Sequence, residues 1–180
     1  VLEITGEPAR GKGVSMATDA FKDSFEGYTD EDQLLGAHAV QVITWASVIG
    51  GLLAYAAYSG RLEDRMSTAD VALLGITTHK IARIVTRGEV TNFLRAPFTE
   101  YEGQANLNEV NQKPRGEGLQ RAMGELMACP LCIGAWIAGG LRCGLAFAPR
   151  FTRAIEVTFA GLTISDLLHV VYAKAIEQAS

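Results

Sequence analysis

Charge is what the longest apolar stretch of this chain lacks. Residues 33–60 contain no Asp, Glu, Lys or Arg. The centre of that run, AVQVITWASVIGGLLAYAAYS over 39–59, is long enough to cross a bilayer core of about 30 Å, which takes roughly 20 residues. Buried helices of soluble proteins rarely run so far without a charge, so this absence argues against an ordinary soluble fold. Cysteine is also scarce: three residues are too few, and odd in number, for a disulfide scaffold. They read as reduced, buried thiols that behave as small hydrophobes. No Lys or Arg block stands out, the formal net charge is −4, and aromatics are not interleaved with basic residues, which excludes a general nucleic-acid binder. A P-loop, a Gly-rich dinucleotide motif, HExxH and a nucleophile elbow are all missing.

What is present is apolar and helical in pattern. Hydrophobic residues make up 48% of the 180 and charged residues 20%, below the usual quarter or so. Residues 1–32 read as a flexible polar and acidic arm. Within it, 1–15 are expected to be disordered, Met16 opens what looks like an ordinary start, and Phe21, Phe25 and Tyr28 recur at helical spacing. Residues 33–176 then read as an all-α, polytopic membrane-embedded bundle of about four helices. The first is the uncharged run, with Tyr55 and Tyr58 near its end where interface aromatics are favoured. Ser67 and Asp70 have capping-box spacing before the second, over 71–86, which carries His79, Lys80 and Arg83. Residues 87–121 read as a polar loop broken by Pro97 and Pro114. There Arg95 and Phe98 flank a rigid turn that could meet an anion or a lipid headgroup. The fourth helix, over 154–175, holds Asp166 and His169 three apart on one face.

The third, over 123–149, organises the rest. At about 100° per residue, Cys129, Cys132, Trp136, Gly140 and Cys143 share one face of a single helix. Small residues allow close backbone approach, so bulk at Gly140 or Gly144 is expected to disrupt packing. Cys129-Pro130-Leu131-Cys132 is a short thiol motif that fits structural packing, redox switching or one half of a metal site. Pro130 also suits the first turn of a helix. A mid-span charge is costly unless paired, so His79, Arg83, Asp166 and His169 are expected to form a buried polar cluster in which Asp166 contacts Arg83 or His79. Positive-inside counting favours both termini on the cytoplasmic side, with the thiol motif at the cytoplasmic end of its helix.

Several blocks together resemble a known family: Thr78 to Thr86 (THKIARIVT), Val90-Thr91, Leu94 to Thr99 (LRAPFT), and Gly124-Glu125-Leu126 leading into Cys129 to Trp136 (CPLCIGAW). They are similar to the signature of the bacterial membrane-protein family catalogued as domain of unknown function 1360, over roughly Ala39 to Val171. That resemblance implies several membrane spans in the bacterial cytoplasmic membrane and no established activity, and some members from spore-formers are labelled sporulation proteins. No catalytic constellation is compelling. The expected role is therefore a non-catalytic accessory, anchoring or scaffold subunit. Its partners would be the lipid bilayer and other membrane-associated proteins, not nucleic acid, and no cofactor is expected beyond a metal at the thiols. The alternative is a membrane thiol-redox or metal-binding protein using Cys129 and Cys132.

Overall fold

The computed structural model describes residues 35–62, 65–106 and 109–179. The arm over 1–32, with its aromatic stripe, lies outside the described residues. In chain order the elements are α1 (Leu35–Tyr58), α2 (Thr68–Arg87), a 3-10 turn (Glu89–Thr91), α3 (Asn92–Arg95), β1 (Thr99–Asn106), β2 (Glu109–Pro114), α4 (Gly118–Ala128), α5 (Pro130–Phe147) and α6 (Pro149–Ala179). The fold is thus mostly helical with one small sheet. Three helices, α1, α5 and α6, are long and apolar enough to cross a membrane. The remaining expected span, the second in the chain, is α2. It is 20 residues long, but Asp70, Lys80 and Arg83 interrupt its apolar run, and it packs between α5 and α6.

Local chemistry sets where each helix begins and ends. The expected capping box opens α2: Ser67 Oγ accepts from the Asp70 N–H at 3.1 Å, and the Ser67 N–H donates to Asp70 Oδ2 at 3.2 Å. The Ser67 hydroxyl, donating to Asp70 Oδ2 at 2.7 Å, and the Ser67 N–H hold the Asp70 carboxyl below the usual carboxylate range. Met123 to Ala128 do not continue into the thiol-bearing helix. They belong to α4, which stops at Cys129 because Pro130 has no N–H to extend it. Cys129 instead caps α5, its Sγ accepting the Cys132 N–H at 3.2 Å, and Pro130 occupies the first turn. A single residue, Ala148, joins α5 to α6, its N–H returning to the Gly144 carbonyl at 2.7 Å.

The helices alternate in direction. Trp45 Nε1 donates to the Ala135 carbonyl at 3.1 Å, and Tyr55 stacks on Phe147 at 6.1 Å between ring centroids, so α1 and α5 run the same way. Nearer the start of α1, His38 Nε2 meets Glu125 Oε2 at 2.7 Å and Gln41 Nε2 donates to the Ala122 carbonyl at 2.8 Å. At the opposite end, near the α5–α6 turn, Arg153 bridges Asp70 of α2 at 2.8 Å and Glu156 at 3.0 Å. The start of α1, the end of α2 and the start of α5 therefore lie together at one end, which the polar segment caps.

That polar segment is not a loop. Residues 87–121 fold into the 3-10 turn, α3, the β1–β2 hairpin and the start of α4. The hairpin pairs Thr99 with Pro114, Glu100 with Lys113 and Gln104 with Val110, with irregularities on either side of Gly103. Gly103 has φ 128, a conformation that only glycine adopts freely. Helix α4 lies against the hairpin closely enough that a Cβ on Gly124 would run into the Phe98 carbonyl oxygen. The sequence hides this because Asn, Gln and Glu alternate in β2 with little apolar signal; of its residues only Val110 is fully buried.

The close helix contact is one residue away from the expected place. A Cβ on Gly139 would lie 2.8 Å from Ile49 Cγ2, whereas a Cβ on Gly140 would meet nothing within 4 Å, and Gly140 is exposed. One residue turns a helix by about 100°, and α1 lies over the 135/139 side of α5 rather than the 136/140 side. Gly144 does make close contact, since a Cβ there would lie 2.5 Å from Thr152 Oγ1. We therefore expect Gly139→Leu and Gly124→Ala to lower stability by about 1–3 kcal/mol through overpacking. Gly140→Leu should change it by less than about 0.5 kcal/mol. Thermal unfolding in detergent reads the difference, and equal damage from Gly139→Leu and Gly140→Leu would overturn this helix register.

Candidate functional site

A buried cation organises the capped end. Arg95, on α3, has no exposed surface. Its Nε donates to Gln112 Oε1 at 2.9 Å, Nη1 to Thr91 Oγ1 at 2.7 Å and to the Val85 carbonyl, and Nη2 to the Gly88 carbonyl at 2.8 Å and Asn92 Oδ1 at 2.6 Å. A guanidinium has five N–H groups, and these five bonds use all of them. None of the acceptors is a carboxylate. Gln112 joins the network twice more, its Oε1 accepting from Thr99 Oγ1 at 2.7 Å and its Nε2 donating to Asn92 Oδ1 at 2.7 Å. Thr91 Oγ1 also donates to the Ile84 carbonyl at 2.6 Å. Arg95 and Thr91 thus satisfy the last carbonyls of α2, where a cation also complements the helix dipole. Burial pushes the Arg95 guanidinium below its ordinary pKa, and the neighbouring Arg87 charge adds to this.

This geometry corrects the expectation that Arg95 meets an anion or a lipid. It has no free donor, because it holds the turn together from inside. Phe98, its expected companion, is half-buried and contributes its backbone: the Phe98 carbonyl accepts the Arg115 N–H at 2.9 Å.

Beside this network lies a groove of about 400 Å³, lined by His79, Arg83, Arg87, Ala105, Glu109, Asn111 and Pro130. His79, Arg83 and Arg87 stand four residues apart along α2, on one face. Arg83 grips Glu109 with both ends of its fork, Nε to Oε1 at 2.6 Å and Nη2 to Oε2 at 3.1 Å. Arg87 Nη1 donates to Asn111 Oδ1 at 3.2 Å. Arg87 could have been found in the sequence, one turn beyond Arg83. Glu109 and Asn111 could not, because their segment gave no strand signal.

The expected polar cluster of His79, Arg83, Asp166 and His169 does not form. Asp166 pairs with Lys80, and Arg83 with Glu109. Lys80 follows His79 by one residue and so points about 100° away from it, toward α6. Arg83 faces the hairpin that the sequence left unseen. His79 and His169 are both exposed.

The thiol motif also differs from expectation. Cys129 and Cys132 are joined in a disulfide, with Cα atoms 5.3 Å apart, within the usual span for such a bond. The N-cap position of Cys129 and the third-residue position of Cys132 bring the two sulfurs together over the first turn. Cys132 is exposed, and Cys143 is the buried free thiol. Among the described residues no group of three His, Cys, Asp or Glu side chains gathers where a metal could sit.

A family model described as a protein of unknown function, DUF1360, matches residues 73–172, which covers the groove, the Arg95 network and the thiol motif. A sporulation protein of Bacillus subtilis, YjcA, is 22% identical over 111 residues, covering 60% of this chain and 94% of its own length. No solved structure matches the chain.

Two outcomes follow from the polar geometry. Arg95→Lys supplies at most three donors where five are used, leaving buried acceptors orphaned at about 1–3 kcal/mol each. It should therefore lower stability by about 2–5 kcal/mol in a thermal or denaturant melt, and a near-neutral result would contradict the closed network. For the ion pairs, a double-mutant cycle of Asp166→Ala with Lys80→Ala should show coupling, and one with Arg83→Ala should be close to additive. The reverse pattern would restore the Arg83–Asp166 pair.

Proposed function

The chain belongs to the DUF1360 family of proteins of unknown function, from which no activity can be inherited, and we propose that it is a bacterial integral membrane protein with a non-catalytic role, anchoring or scaffolding a larger membrane-associated assembly. The observation that carries this reading is α6. Its first half is built into the bundle through Thr152, Glu156 and Ala160, yet every residue from Ile164 to Ala179 is exposed. Leu167, Leu168, Val170, Val171 and Tyr172 lie among them. At 1.5 Å per residue this is about 24 Å of largely apolar, exposed helix, which the Asp166–Lys80 pair ties to α2, and an apolar surface of that extent calls for lipid or another protein. The polar groups, meanwhile, are engaged in capping and ion pairs rather than converging on a reacting centre. The sporulation label of the Bacillus subtilis relative names a cellular process and no chemistry, and it accords with an accessory part.

The distribution of cations supports an orientation with the capped end and both termini in the cytoplasm. That end carries Arg87, Lys113, Arg115, Arg121 and Lys174, against Arg61, Arg65, Arg150 and Arg153 at the other.

The Cys129–Cys132 bond favours a second reading, a thiol–disulfide switch. In a cytoplasmic setting these thiols would be held reduced at rest, so the bond would form only on oxidation. That bond would leave α5 capped by a disulfide sulfur rather than by a thiol.

Sodium carbonate extraction followed by native electrophoresis in a mild detergent tests the main reading. The expected outcome is retention in the membrane pellet and migration well above the single 19.3 kDa chain, with Leu167→Ser/Val171→Ser shifting it to the single-chain position. Release by carbonate would end the membrane reading. A membrane-bound single chain would end the scaffold reading. For the second reading, alkylation trapping of intact cells should find Cys129 and Cys132 free at rest and bonded after oxidant, with Cys143 unreactive until denaturation.

A further inference from the structure

The cations at the capped end are not evenly neutralised. Arg83 is matched by Glu109, and Lys113 lies 3.4 Å from Glu100 and 4.0 Å from Glu102. Arg95 is buried and bonded only to neutral acceptors, as described above. Arg87 donates to the neutral Asn111 amide, and among the described residues it makes no ion pair. Arg87, which lines the groove, and the neighbouring buried Arg95 are therefore two positive charges outside the ion pair that Arg83 makes with the groove's carboxylate, Glu109. They are close enough that the Arg87 charge depresses the pKa of Arg95. Positive charge without an ion-pair partner in the lining of a concavity concentrates anions there.

The chemistry of the wall narrows the anion. Arg87 is half-buried, and the Asn111 bond leaves most of its N–H fork free to grip an oxyanion at two points. His79 lines the same groove two turns earlier on α2 and adds a ring nitrogen. The volume of about 400 Å³ is in the range of small-ligand pockets. Its position narrows the source. Pro130, at the rim, is the first residue of α5, one of the three helices long enough to span, so the groove opens where α5 would pass from the apolar core to the headgroup layer.

We propose that the groove bounded by α2, the hairpin and the start of α5 binds a phosphate group through Arg87 and His79, and that the phosphate belongs to an anionic phospholipid. The proposal rests on the membrane reading above for its source and on the unmatched arginines for its chemistry. Arg83 stays bonded to Glu109 and forms the wall rather than the grip. Arg95, with every donor used, acts only through its charge.

The test uses the full chain in nanodiscs of phosphatidylcholine alone or with phosphatidic acid or phosphatidylglycerol. Anionic lipid should raise the apparent Tm of the wild type by about 2–4 °C or more. Arg87→Gln and His79→Gln should each fold with an unchanged Tm in phosphatidylcholine and lose most of that shift, while Arg87→Lys keeps part of it. A parallel arm adds inorganic phosphate to phosphatidylcholine discs. A shift there that Arg87→Gln removes upholds the phosphate site and transfers its source from lipid to free ion. An equal shift in wild type and Arg87→Gln, or no shift with any phosphate, overturns the proposal. Failure to enter nanodiscs at all would instead refute the membrane reading, and is scored separately by carbonate extraction.

Discussion

Everything at the capped end depends on burying one guanidinium without a counter-ion. Removing a charge from water costs several kcal/mol even after relaxation, and Arg95 offsets that only by meeting an acceptor with each of its five N–H groups. The acceptors come from four places in the chain: the last turn of α2, the 3-10 turn, α3 and β2. Arg95 can be satisfied only when all four are in position. The same bonds answer the free carbonyls at the end of α2. One side chain thereby couples the end of a helix to a hairpin that has little apolar core of its own, Val110 being its fully buried residue.

The consequence for function is a separation of roles along α2. Its C-terminal carbonyls are already capped, so Arg87 is not needed there and can face the groove. Arg83, about one turn away, and Lys80, about two turns away, are drawn to the hairpin and to α6 respectively. Four cationic or ionisable side chains within nine residues thus receive different surroundings: a groove rim for His79, an inter-helix ion pair for Lys80, a forked carboxylate for Arg83 and a neutral amide for Arg87. That sorting is a property of the tertiary arrangement of α2, the hairpin and α6.

The opposite end of the bundle is held in a plainer way. Arg153 joins Asp70 at the start of α2 to the fully buried Glu156, and Thr77 Oγ1 donates to the Glu156 carbonyl at 2.9 Å. Gly144 and Thr152 close the α5–α6 turn by direct contact. Between the two ends, α1 leans on α5 through Trp45, Ile49 and Tyr55. Such a bundle is pinned at both ends and exposes large apolar side chains along α1 and α6.

The sequence alone determined the long helices, because their signals are local. An uncharged run of bilayer length, a Ser–Asp capping box three residues apart and a proline that cannot extend a helix each act within a turn or two, and each is found where the residues put it. The thiol motif and the RAPFT block were also legible as distinctive, although not what they do: two cysteines three apart can bond, cap or bind a metal, and an arginine beside a proline can face in or out. Only the tertiary structure decided those questions. Residues 87–121 read as a loop because their strands bury almost nothing, and their order comes from Arg95, Gln112 and the close approach of Gly124, contacts between residues far apart in the chain. The partner of Asp166 turned on whether Lys80 or Arg83 faced α6, and the packing glycine on whether α1 lay over 139 or 140. Both are rotations of about 100° per residue, invisible to a pattern that records which residues share a helix but not which neighbour each face will meet.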